Sequence, residues 1–299
     1  MLFAHDASAG DINGDGFPDI LAGRTLFLSQ GGAGFVSAIE QLPETWRDDW
    51  GDYVMSSLLD DFNGDGLADP VLFWRDEPRS VSRRSPQLAI SNEEVPIADW
   101  EVRNLPDGYF GAGVTKFNHA AAADIDGDGD IDIVVGTTRS SPYYVGRFLQ
   151  ILVNDGVGNF VDVSREAMGE QPRALNYKDP EVEVPCTTWG EGQVVLVDVD
   201  NDGDIDIADR TSGGQDGSED ACPGIAIYLN NGDGVFTKDG TTQLARVRQH
   251  QIPGFVAWPN NHAIGNAMPI DLDGRFGIDF VAQIRSPWGG IYSFLYQVM

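Results

Sequence analysis

The sequence predicts an all-β protein built from one small unit repeated along the chain, and three observations carry that reading. A nine-residue acidic pattern recurs as DINGDGFPD (Asp11–Asp19), DFNGDGLAD (Asp61–Asp69), DIDGDGDID (Asp124–Asp132), DVDNDGDID (Asp198–Asp206) and DLDGRFGID (Asp271–Asp279). Short apolar, β-branched or small-residue runs of strand length flank the copies. Three copies are followed by a matching apolar run that ends in a Gly-rich turn and an aromatic. First aspartates lie 50, 63, 74 and 73 residues apart, so one supersecondary unit recurs five times with loops of variable length.

Each element of the unit has its own signal. The first strand is read from VMSSLL (Val54–Leu59), AAAA (Ala120–Ala123) and QVVLV (Gln193–Val197), immediately before the acidic loops. The second is read from ILAG, PVLFW, IVVG and IAD, immediately after them. The third strand, glycine turn and outer strand come from LFLSQGGAGF (Leu26–Phe35), ILVNDGVGNF (Ile151–Phe160) and IYLNNGDGVF (Ile227–Phe236), which carry a hairpin signature. Four-stranded antiparallel units repeated around an axis make a β-propeller, so the expected architecture is a propeller with five visible repeats. The last repeat ends after a third strand (Gly290–Val298) and is expected to be incomplete.

The acidic loops define the chemistry. An intact copy reads Asp-x-(Asp/Asn)-x-Asp-Gly-x-x-Asp: oxygen side chains at positions 1, 3, 5 and 9 can converge on one ion, and position 7 can offer its carbonyl. Glycine at position 6 permits the bend between them. So many carboxylates in nine residues repel one another unless a divalent ion compensates, and a flexible all-oxygen shell suits calcium better than magnesium. A lone copy would read equally well as a solvated turn, because Asp, Asn and Gly favour turns; four copies with the same oxygen positions argue for the ion. The EF-hand is excluded, because position 12 is Ala22, Leu72, Val135 and Asp209 where that loop needs Glu.

These DxNGDGxxD loops and LNxGxGxF turns resemble the FG-GAP or VCBS repeats of integrin α-subunit-like β-propellers. The resemblance spans nearly the whole chain and implies calcium in the hairpin between the first two strands of a blade. Carried over residue by residue, its ligands are Asp11, Asn13, Asp15, the Phe17 carbonyl and Asp19 in the first loop. The second loop gives Asp61, Asn63, Asp65, Leu67 and Asp69. The third gives Asp124, Asp126, Asp128, Asp130 and Asp132, and the fourth Asp198, Asp200, Asp202, Asp204 and Asp206. The fifth loop departs, with Arg275 at position 5 and Phe276 at position 6; a guanidinium paired with Asp271 and Asp279 would replace the ion. About four calcium ions per chain are therefore expected, with the Asp271–Asp279 loop empty. Residues 1–299 are expected to form a single domain with blades beginning near 1, 53, 117, 192 and 262, fewer than integrin-like propellers have. Closure with five blades and membership of a longer chain both stay open.

Composition narrows the partners. Of 299 residues, 47 are Asp or Glu and 19 are Lys or Arg, a net charge of -28, which works against nucleic acid and anionic membranes. The four intact loops hold 16 of those 47 acids, so much of the excess belongs to the repeats. A hydrophobic share of 41% is ordinary for a folded chain, and no apolar stretch approaches the length of a membrane helix, so no membrane insertion is expected. The opening MLFAHDASAG has neither the basic start nor the apolar core of a signal peptide. Calcium loops of modest affinity need a calcium-rich compartment, so an extracellular, cell-surface or periplasmic location is expected.

The remaining chemistry-bearing residues leave alternatives open. Cys186 and Cys222 flank the fourth loop and are either one disulfide or two thiols. His5, His119 and His262 precede acidic loops by 6, 5 and 9 residues; strand alternation puts all three on one side only if a bulge intervenes, and His119 with His262 is the pair to watch. Trp50, Trp189 and Trp258 precede first strands and are read either as plugs between blades or as a platform for a sugar or a partner's side chain. The basic run Arg79–Arg84 is read as an exposed loop. Three functions compete: a calcium-stabilised binding or adhesion module recognising protein or carbohydrate, a propeller-based polysaccharide lyase or glycoside hydrolase, and a structural segment of a larger surface protein. No nucleophile or zinc motif stands out, which favours binding.

Overall fold

A computed structural model describes residues 7–47, 54–74, 85–91, 99–111, 114–139, 145–171, 192–211, 223–239, 244–245, 264–270, 279–285 and 291–296. These residues form five antiparallel sheets, one for each acidic repeat. The first comprises β1 (Ala7–Gly10), β2 (Asp19–Ala22), β3 (Thr25–Ser29) and β4 (Phe35–Ser37); the second, β5 (Val54–Asp60), β6 (Asp69–Trp74), β7 (Gln87–Ile90) and β8 (Glu101–Asn104). The third comprises β9 (Thr115–Ala123), β10 (Asp132–Arg139), β11 (Val145–Asn154) and β12 (Phe160–Asp162). The fourth comprises β13 (Gly192–Val197), β14 (Asp206–Thr211), β15 (Pro223–Asn230) and β16 (Phe236–Lys238), with β17 (Leu244–Ala245) also paired to β15. The fifth holds β18 (Ile264–Ile270), β19 (Asp279–Arg285) and β20 (Ile291–Tyr296) among the described residues.

Apart from β17, each strand within a sheet pairs with the next in sequence. The acidic loop therefore joins the first two strands, and the Gly-rich turn joins the third to the fourth at the same end of the sheet. The strands read from the sequence are present, including β9 over the alanine run and the three-strand fifth sheet. The second sheet also has a third and a fourth strand, although residues 85–104 lack the glycine-turn signature.

Burial on both faces of a sheet explains why its strands read as near-continuous apolar runs. In β10, Ile133 and Val135 pack with Phe62, Val71, Phe73 and Phe117 of the second and third sheets. Val134, pointing the other way, packs with Ile151, Val194, Ile207 and Phe236 of the third and fourth. A similar cluster of Leu21, Leu26, Val54, Leu59 and Leu72 lies between the first two sheets. Short helices seal these layers. α1 (Glu44–Arg47) buries Trp46, whose indole N–H donates to Gln87 Oε1 at 3.0 Å, and α2 (Ser164–Met168) buries Ala167 against the third–fourth interface.

First strands of successive repeats lie side by side: β1 packs on β5, β5 on β9, β9 on β13 and β13 on β18. Side chains bridge three of these steps. The Leu59 N–H donates to Ser8 Oγ (2.9 Å), the Ala120 N–H to Ser56 Oγ (2.9 Å) and the Val194 N–H to His119 Nδ1 (3.4 Å). The register of β9 against β10 shifts between His119 and Phe117, leaving Asn118 as a bulge that re-aims the strand's side chains.

Candidate functional site

The four intact loops fold alike because their side chains serve the same backbone donors. The position-1 carboxylate accepts from the N–H of positions 4 and 6: Gly14 (2.8 Å) and Gly16 (2.7 Å) on Asp11, Gly64 (2.7 Å) and Gly66 (2.8 Å) on Asp61, Gly127 (2.8 Å) and Gly129 (3.0 Å) on Asp124. In the fourth loop Asp198 accepts from Asp202 (3.2 Å) and Gly203 (3.0 Å). The position-5 carboxylate accepts from the N–H of position 7, at 2.9 to 3.0 Å, in all four. Positions 4 and 6 have positive φ, which is why glycine occupies them; the exception, Asn201 (φ 62°), is a residue that tolerates that region.

Position 9 differs from the rest. Asp19, Asp69, Asp132 and Asp206 are fully buried, and each joins two segments of its own repeat. One oxygen accepts the N–H of position 2 (Ile12, Phe62, Ile125, Val199), the other the N–H of the residue that closes or directly follows the third strand (Ser29, Ser91, Asn154, Asn230). Burial pushes Asp69, Asp132 and Asp206 up to about 6 despite these bonds, and raises Asp19 as well. Burial, followed by neighbouring loop carboxylates, likewise raises Asp126 and Asp200.

The donor set fits a hard divalent cation. Asp124, Asp126 and Asp128 bring one oxygen each within 4.8 Å of the others, as do Asp198, Asp200 and Asp206. Every such donor is oxygen, and an ion among them would offset the repulsion between these carboxylates. Asn13 and Asn63 replace one carboxylate in the first two loops. In the second, the Asn63 amide donates to Asp65 Oδ2 (3.0 Å), and Ser91 Oγ donates to the same oxygen (2.8 Å).

Other candidates from the sequence are placed as follows. His119 is partly buried and accepts the Val194 N–H at the step between two repeats. Trp50, Trp189, Trp258, His5, His262, Cys186, Cys222, Arg79–Arg84 and residues 271–278 of the fifth loop lie outside the described residues. The buried tryptophans that are described, Trp46, Trp74 and Trp100, belong to the core between the first two sheets.

Two sets of residues were not singled out from the sequence. Asn154 and Asn230 close the third strands, and each is bonded on every side. The Asn154 amide nitrogen donates to the Ile131 carbonyl (3.1 Å) and to the Phe62 carbonyl of the preceding repeat (2.8 Å), while its oxygen accepts from Asp155 (2.9 Å) and Gly158 (3.1 Å). Asn230 repeats the pattern with Ile205 (3.0 Å) and Ile125 (2.7 Å). Their signal was the Asn in LVNDG and YLNNG. The second set is the ion pair of Arg147 on β11 with Asp209 on β14, both nearly inaccessible, between the third and fourth sheets. Arg147 Nε lies 3.3 Å from Asp209 Oδ2, and the guanidinium covers Gly136 where a Cβ would stand. Burial, then the Asp209 charge, raises the neighbouring Tyr228 hydroxyl's pKa.

Comparison with known proteins agrees with the repeat reading. The FG-GAP repeat family matches residues 3–39, and the FG-GAP-like repeat family matches residues 124–208, so three of the four intact loops fall inside matched segments. No curated protein matches. Among solved structures, the rhamnogalacturonan lyase YesW is similar over 96% of this chain at 15% identity and a TM-score of 0.37. The match covers 56% of that enzyme's chain, so this chain spans a little over half its length. The acidic loops, the antiparallel sheets and both family matches agree that the chain carries FG-GAP repeats within residues 3–39 and 124–208.

Proposed function

We propose that residues 1–299 form one β-propeller domain with the five sheets as its blades, and that its four intact loops hold calcium as a structural ion. The observation that carries this reading is the fourfold recurrence of one loop geometry, with converging oxygens in the third and fourth copies. Asp at position 1, Asn or Asp at position 3, Asp at position 5, the carbonyl of position 7 and Asp at position 9 would hold the ion. Calcium would supply charge compensation, which turns metal binding into folding free energy. The protein then serves as an extracellular, cell-surface or periplasmic module that binds a protein or carbohydrate through loops on one propeller face. Among the described residues no helix is long and apolar enough to cross a membrane.

Titration of metal-free protein with calcium should give about four ions per chain, and a strong chelator should lower the melting temperature substantially. Unchanged melting under chelation would refute the structural-ion reading. A glycan array run beside an activity screen on acidic and neutral polysaccharides tests the binding reading. Turnover of a polysaccharide would replace it with an enzymatic one.

A further inference from the structure

We propose that the acidic loops are coupled in series, the second and third each held in metal-binding shape by the repeat that follows, with Asn154 and Asn230 as the positioning residues. This rests on the reading that the loops bind calcium. In a loop, position 2 lies between the first two metal-facing side chains, so its peptide orientation helps set where they converge. The position-9 carboxylate of its own repeat holds the N–H of that residue: Phe62 on Asp69 (3.0 Å), Ile125 on Asp132 (3.1 Å). The carbonyl of the same residue is held from outside, Phe62 by the Asn154 amide (2.8 Å) and Ile125 by the Asn230 amide (2.7 Å).

The same asparagines are fastened to the metal loops of their own repeats. The Asn154 N–H donates to Asp132 Oδ1 and the Asn230 N–H to Asp206 Oδ1, both at 2.8 Å. One hydrogen-bonded path thus runs from Phe62 through Asn154, Asp132, Ile125, Asn230 and Asp206 to Val199, alternating between loops and third-strand ends. The first loop is joined by a different link, the Ala68 N–H donating to the Asp11 carbonyl at 2.8 Å.

Packing reinforces the path. The turn after each asparagine lies on the preceding loop: a Cβ on Gly64 would stand 3.6 Å from the Gly156 carbonyl, and one on Gly127 3.4 Å from that of Gly232. A Cβ on Gly234 would stand 3.1 Å from that of Asp126. An ordered loop therefore presents a formed surface to its neighbour's turn, and a disordered loop withdraws it. Groups that orient metal ligands without touching the metal typically change affinity by about 10- to 100-fold when removed.

The test is competition titration of the full chain with calcium and a chromophoric chelator, for wild type, Asn154→Leu and Asn230→Leu. Asn154→Leu should weaken one class of site by about 10-fold. The same substitution should leave the remaining sites unchanged when the second loop is already silenced by Asp61→Asn with Asp65→Asn. Asn230→Leu should behave likewise against Asp124→Asn with Asp128→Asn. A purely packing role would lower melting equally with and without calcium and leave the affinities alone. Asn154→Ser, whose shorter side chain loses the reach to Phe62, gives the same readout if the leucine variant fails to fold. Wild-type calcium binding with all affinities preserved in the variants would overturn the coupling alone. Absence of calcium binding by the wild type would overturn both the coupling and the structural-ion reading.

Discussion

Asp132 and Asp128 belong to the same loop, and the structure assigns their carboxylates different work. Asp132 is fully buried and accepts the N–H groups of Ile125 and Asn154 at 3.1 and 2.8 Å. Asp128 is exposed, and its carboxylate accepts the Asp130 N–H at 2.9 Å. Asp132→Ala in metal-free protein leaves two buried donors without acceptors, at about 1–3 kcal/mol each. Removal of a carboxylate whose burial lifts its pKa to about 6 works in the opposite direction, so the net loss at neutral pH belongs near the low end, about 2–3 kcal/mol. Asp128→Ala removes an exposed bond and some like-charge repulsion, and its cost in chelator should stay within about 0.5 kcal/mol. For a domain of this size the Asp132 variant should melt roughly 5–10 °C lower in chelator, the Asp128 variant almost unchanged. With calcium restored, both should fall short of wild type, because each removes a proposed ligand. Denaturant unfolding of the three proteins with and without chelator measures the differences. Equal losses for Asp132→Ala and Asp128→Ala in chelator would refute the division of labour.

Three further outcomes are expected. Burial raises Asp69, Asp132 and Asp206 from 3.8 to about 6, so metal-free folded protein holds protons that the unfolded chain has released; that stabilisation is full below about pH 4 and lost as pH rises through 6. Metal-free protein should therefore melt higher at pH 5 than at pH 7.5, and saturating calcium, which needs the carboxylates ionised, should reverse the order; one common order in both conditions would contradict this. Asp209→Ala strands the buried Arg147 guanidinium and should cost about 3–5 kcal/mol, whereas Arg147→Met combined with Asp209→Leu should recover most of it. A double variant as unstable as the single would show that the pair is not isolated as described. Gly158→Ala should cost about 1–2 kcal/mol, because φ is +79° and the new methyl would also displace the end of the Ile90 side chain of the preceding sheet, 2.4 Å away; a thermal melt within 1 °C of wild type would refute that strain.

Local chemistry was the part of this architecture that could be read in advance. DIDGDGDID carries its own instructions, since the hydrogen bonds made between its own residues span no more than seven positions. The strands beside it are apolar on both faces because sheets cover them on both sides. Even the alanine run of β9 could be assigned, since it sits directly before a loop whose place in the unit was known. Partnerships between repeats were not legible. Asn154 reaches Phe62 across 92 residues and Asn230 reaches Ile125 across 105, and nothing near either asparagine separates a turn-former from a clamp. Asp209 carries no local signal of its role, because its partner Arg147 lies 62 positions away. The hairpin of β7 and β8 carried no glycine signal, so its existence follows from packing on β6 and not from its turn.

The outermost strands have a consequence for solubility. β4, β12 and β16 are three residues each, and their exposed Phe35, Val36 and Val161 are the kind of side chains that favour strand addition. A chain with this many sheets has as many rims on which another molecule could polymerise. Three residues leave too few free N–H and C=O groups to register a foreign strand, so brevity protects the rim alongside the exposed charges of Asp162 and Lys238. Lengthening β12 by even one hairpin register would make it a template for end-to-end growth, while the interior of the sheet stayed the same.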